Sequence, residues 1–89
     1  MIHLLQILNM LNKEQFELFE KLFSDLDYEL NEMGWKGNET ELVNDLLSSH
    51  FEIELLDQRQ LESITQVIMN KSKFESTMRY HKITKNWNE

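Results

Sequence analysis

Cysteine, proline and alanine are absent from the 89 residues, and glycine occurs only at positions 34 and 37. Without cysteine there is neither a disulfide framework nor a thiolate zinc site. Two glycines cannot build the loop that cradles a phosphate. No Gly- or Ser-rich stretch marks a linker, so one domain over residues 1–89 is expected. The run MIHLLQILNML is eleven residues long, well short of a membrane span. It also lacks a basic lead-in and a small-residue cleavage site, so it reads as a core or docking helix and not as a signal peptide. The absence of alanine beside abundant Asn, Lys, Glu and Ile fits an AT-rich genome, as in a low-GC bacterium or its phages. A cytoplasmic location is the matching expectation.

What is present is ordinary globular material, 40% apolar and 28% charged. The charge is uneven. Residues 1–62 carry fourteen Asp or Glu against four Lys or Arg, a net of −10, and residues 63–89 carry two against five, a net of +3. The acidic body should be repelled by nucleic acid and by anionic membranes, so no membrane partner is expected and direct nucleic-acid binding is disfavoured.

Helix-start signals recur. Asn12-Lys-Glu-Gln15 and Asp57-Gln-Arg-Gln60 have capping-box form, with Leu11/Phe16 and Leu56/Leu61 spaced as hydrophobic staples. Asn38–Glu41 and Ser72–Glu75 are two further boxes. Phe16, Phe19, Phe23, Leu26, Leu30 and Met33 step by 3 and 4, the rhythm of one helical face. Gly34 stands where a left-handed residue would end that helix, with Trp35 as the apolar contact after it. A helix over 39–49 follows, burying Leu42, Val43, Leu46 and Leu47. Residues 51–55, FEIEL, suit a short extended connection or a continued helix. A further helix starts near Gln58 with Leu61, Ile64 and Ile68 inward. Another starts near Lys73, unless the previous one runs on through Asn70. The expected fold is all-α, a single-domain bundle of four to five helices.

LNKEQFELFEKLFSDLD, residues 11–27, resembles the first helix of an EF-hand protein of the calmodulin type. The resemblance implies a calcium loop opening at Asp27, with Glu29 and Asn31 as the next ligands. The following residues depart from that loop. Glu32 stands at the glycine position, Gly34 at the apolar position, and Asn38 where a bidentate glutamate belongs. The 3,4 rhythm also runs on through Leu26 and Leu30, where a calcium loop would interrupt it. The reading is therefore one unbroken helix from Lys13 to Met33 with an acidic outer face, and no metal or cofactor is expected.

Nothing else assembles into a catalytic motif. His3, His50 and His81 are dispersed, no serine has the small neighbours of a nucleophile elbow, and exposed carboxylates stay ionised together. No enzyme activity is expected. Two surfaces remain as candidates for recognition. The first is acidic: Glu14, Glu17, Asp25, Glu29, Glu32, Glu39, Glu41 and Asp45. Such a face can imitate a phosphate track and dock on the basic nucleic-acid-binding surface of a protein target, as an inhibitor of the anti-CRISPR or anti-restriction type would. The second lies in the C-terminal helix. There Phe74, Met78 and His81 occupy one edge, and Tyr80, Ile83 and Trp87, with Arg79 beside them, occupy another. One core cannot bury both edges. Self-association, through these aromatics or through residues 1–33, is the alternative function, and nucleic-acid binding by the basic C-terminal helix is a third.

Overall fold

The computed structural model describes residues 3–32, 34–35 and 37–87. Among them are six α-helices and no strand: α1 Leu4–Asn9, α2 Lys13–Ser24, α3 Leu26–Glu32, α4 Glu39–Phe51, α5 Gln58–Met69 and α6 Lys71–Lys85. The all-α expectation holds, with one helix beyond the expected upper count. The N-terminal run supplies the first, α1, which buries Leu4, Ile7 and Leu8 and lies against α6.

The start of α2 follows from its residues. Asn12 Oδ1 accepts from the Gln15 amide at 2.8 Å, and Gln15 Oε1 accepts from the Asn12 amide at 2.9 Å. Two donors that a helix start leaves orphaned are thus satisfied reciprocally. Leu11 and Phe16, on either side of the cap, are both buried, as a staple requires.

The unbroken helix from Lys13 to Met33 does not form. It stops at Ser24, and Asp25 takes φ −101 and ψ 16 before α3 begins. Ser24 and Asp25 carry side chains that compete for backbone hydrogen bonds and are poor helix interiors; Ser24 Oγ donates to the Lys21 carbonyl at 3.4 Å. The distortion occupies one residue and omits none. The 3,4 rhythm therefore survives it, and Phe16, Phe19, Phe23, Leu26 and Leu30 are all buried. Met33, the last expected member of that row, lies outside the described residues.

Gly34 adopts φ +72, and the Trp35 amide reaches back to the Leu30 carbonyl at 3.0 Å. That is the left-handed stop expected there, closed by a long backbone bond. The Asn38 box does not close: Asn38 makes no side-chain cap, and Glu39 Oε1 instead accepts from the Gly37 amide at 3.2 Å. Helix α4 runs to Phe51, two residues past the expected end, and stops because Glu52 turns left-handed at φ 57. Residues 52–57 are then non-helical, with Ile53 and Leu55 buried while Glu54 and Leu56 face water.

That alternation overturns the second expected staple. Leu56 is 91% exposed, and Leu55 takes the buried place. Asp57 caps α5 through the Arg59 amide at 2.9 Å, one position earlier than a capping box would. Asn70, at φ −88 and ψ 98, ends α5 and also starts α6, accepting from the Lys73 amide at 3.2 Å. The expected Ser72 box is bypassed, because Asn70 caps the helix two residues sooner.

The core joins all six helices. Phe19 is its centre, with ring centroids 4.5 Å from Phe23, 5.5 Å from Phe51 of α4 and 6.4 Å from Phe74 of α6. Among the described residues no helix is long and apolar enough to cross a membrane.

Candidate functional site

The eight acidic candidates are distributed over three helices. Glu14 and Glu17 lie on α2, Asp25 at the break, Glu29 and Glu32 on α3, and Glu39, Glu41 and Asp45 on α4. Glu29 and Glu39 are half-buried and the other six are exposed. The break at Asp25 divides the stripe that an unbroken helix would have presented. One ion pair occurs among the described residues, Lys82 Nζ to Glu20 Oε2 at 3.1 Å, and it involves none of the eight.

Two of the eight border a groove that sequence spacing did not reveal. It has a volume of about 830 Å³, at the upper end of the roughly 300–1,000 Å³ typical of ligand pockets. One wall is α2 with the start of α3, and the other is α6 with the end of α5. The floor is closed by buried Phe23, Leu26, Ile68, Phe74 and Met78. Along the first wall stand Glu17, Glu20 and Asp25, with Lys21 as the one cation. Along the second stand Lys71, Arg79 and Lys82, with Glu75 as the one anion. The walls therefore carry net charges of opposite sign, and the Glu20–Lys82 bridge crosses between them. Tyr28, 67% exposed, stands at the margin. Glu17, Asp25 and Arg79 are thus brought together, whereas the other six acids are not in the groove. Residues 17–28 and 68–82 meet only through the fold, so neither segment alone signals it.

The C-terminal edges separate as expected in part. Phe74, Met78 and His81 are buried, and Tyr80 and Ile83 are 58% and 54% exposed. Trp87 does not join Tyr80 and Ile83. Asn86 turns left-handed at φ 60, and the Trp87 amide then bonds the Lys82 carbonyl at 2.8 Å. Helix α6 thereby ends with the same bond pattern as Gly34 and Trp35, because asparagine is the commonest substitute for glycine in that conformation. The turn folds the Trp87 indole back onto Phe16 and His81, 5.5 Å between centroids in each case.

His81 is enclosed in that cluster. Its Nε2 has no hydrogen-bond partner. Burial first, and then the nearby Lys85 cation, lower its pKa from the ordinary 6.5. Lys82 Nζ lies 6.0 Å from the centre of the Phe16 ring on which the imidazole stacks.

Residues 27, 29 and 31 of the implied calcium loop sit on helix α3. Among the described residues no three His, Asp or Glu side chains are grouped as metal ligands. His3 starts α1, His50 lies beside Phe51 in α4, and His81 is in the core, so the three histidines belong to separate surroundings. No family model, characterised protein or solved structure matches the chain.

Proposed function

We propose that the protein works without catalysis, by docking its acidic surface on the basic nucleic-acid-binding surface of another protein, as an inhibitor or regulator of the anti-CRISPR or anti-restriction type. One observation carries this reading: the eight carboxylates, seven on α2, α3 and α4 and Asp25 at the break, make no ion pair among the described residues. Their charge is left for a partner, and a basic groove shaped for phosphates is the complementary surface. The net −10 of residues 1–62 would speed the encounter and make it sensitive to salt.

The test is binding measured across ionic strength, with Asp25, Glu29 and Glu32 reversed together to lysine. The reading expects affinity to fall steeply with salt and to be lost in the triple variant. Affinity indifferent to both would eliminate it.

A second reading is favoured by the exposure of Tyr80 and Ile83 on α6. Copies of the chain would associate through that edge as a structural or assembly subunit. Light scattering distinguishes it: mass rising with concentration, and falling back in a Tyr80→Ala, Ile83→Ser variant, is the expected result. A monomer at high concentration would end it.

A further inference from the structure

We infer that the groove between α2 and α6 is a seat for one helix of a partner protein, amphipathic, with cations flanking its apolar stripe on one side and anions on the other. This inference does not depend on the acidic docking proposed above, since six of those eight acids lie outside the groove.

The occupant's chemistry follows from the walls. Glu17 and Glu20 stand one turn apart on α2 with Asp25 just past its end, and Lys71, Arg79 and Lys82 stand along α6. A uniformly basic helix would be attracted by the first wall and repelled by the second. A uniformly acidic one would meet the reverse. Only a helix with opposite charges on its two flanks satisfies both walls at once. Reversing the direction of such a helix exchanges its flanks, so the walls also fix which way it runs.

The dimensions suit a helix. Lys71 to Lys82 is eleven steps along α6, or about 16 Å at 1.5 Å per residue, enough for about three turns of an occupant. Apolar contact would come from exposed Tyr28, half-buried Met69 and the aliphatic stems of Lys21 and Arg79, because the floor beneath is already closed. The Glu20–Lys82 pair is half-exposed and bridges the walls, so it would open or mark the end of the seat.

Three labelled synthetic helices test this, each about three turns long with a leucine stripe: one with lysine on one flank and glutamate on the other, one with lysine on both, and one with glutamate on both. Fluorescence anisotropy with the full chain reads their affinities. The mixed-flank peptide should bind about tenfold more tightly than either uniform one, from several surface charge pairs acting together. In a Lys71→Glu, Arg79→Glu variant both walls are acidic, and the both-lysine peptide should become the tightest. Amide shifts should map to residues bordering the groove. Equal affinities, absence of binding by the mixed peptide, a both-lysine preference in the unaltered chain, or shifts confined to α4 would each overturn the inference. The altered residues are exposed, and circular dichroism of the variant checks that the fold is retained.

Discussion

The imidazole of His81 lies against the ring of Phe16, with centroids 5.2 Å apart and planes 28° from parallel. The indole of Trp87 meets it edge-on, at 72°. Burial in this setting favours the neutral imidazole, since a proton on Nε2 finds no acceptor.

A pH dependence of stability follows from that enclosure. Well above pH 6.5, His81 is neutral in both folded and unfolded chains and imposes no cost. As the pH falls through 6.5, the unfolded chain takes the proton first, because burial and Lys85 lower the folded value. Stability should then decline by at most about 1.4 kcal/mol per pH unit until the folded value is reached. Urea unfolding at about pH 7.5 and pH 5.5 measures it, and His81→Phe should remove this part of the difference. A variant that keeps the full difference would show that other groups carry it.

Trp87 should matter to stability in spite of its place near the end of the described chain. Trp87→Ala removes the ring that covers Phe16 and His81, at an expected cost of about 1–3 kcal/mol, below the value for a fully buried tryptophan. Chemical denaturation followed by circular dichroism reads the change. Tyr80→Ala, at an exposed position on the same helix, should cost less than about 0.5 kcal/mol.

The left-handed residues give a paired test of backbone strain. Glu52→Gly should stabilise the protein by about 0.5–1 kcal/mol, since a Cβ is unfavourable at φ 57. Gly34→Ala, at φ +72 with open space around it, should destabilise by about 1 kcal/mol for the same reason. Thermal unfolding of both variants supplies the comparison, and changes of the same sign would contradict it.

The helix starts at Asn12 and Asp57 look alike in sequence and differ in the fold. Asn12→Ala should cost about 1 kcal/mol, because a closed box is lost. Leu11→Ser should be strongly destabilising, whereas Leu56→Ser should stay within about 0.5 kcal/mol, since one leucine is buried and the other faces water.

These two starts show where the sequence was legible. LNKEQFELF and LDQRQLESI share a pattern, but pattern alone does not say whether the residue before the cap reaches a core. In the second segment, left-handed Glu52 sets the phase of an extended stretch that buries Leu55 and turns Leu56 out. The apolar row from Phe16 to Leu30 and the stop at Gly34 were readable because period and glycine geometry are local properties. The break at Asp25 was not, because one distorted residue leaves the count unchanged. A straight helical projection sets Trp87 beside Tyr80 and Ile83, because it cannot anticipate the left-handed turn at Asn86. The groove is invisible in the sequence for a different reason: its two charged walls come from segments about forty residues apart in the chain, and only packing brings them face to face.

The docking proposal is tested most directly by competition. The tagged protein captures its partner from host lysate, and duplex DNA is then titrated into the purified complex at about 100 mM salt, where surface charges are only partly screened. Release of the acidic protein as DNA occupies the partner is the result the account predicts. A ternary complex of protein, partner and DNA, with no release, would contradict it.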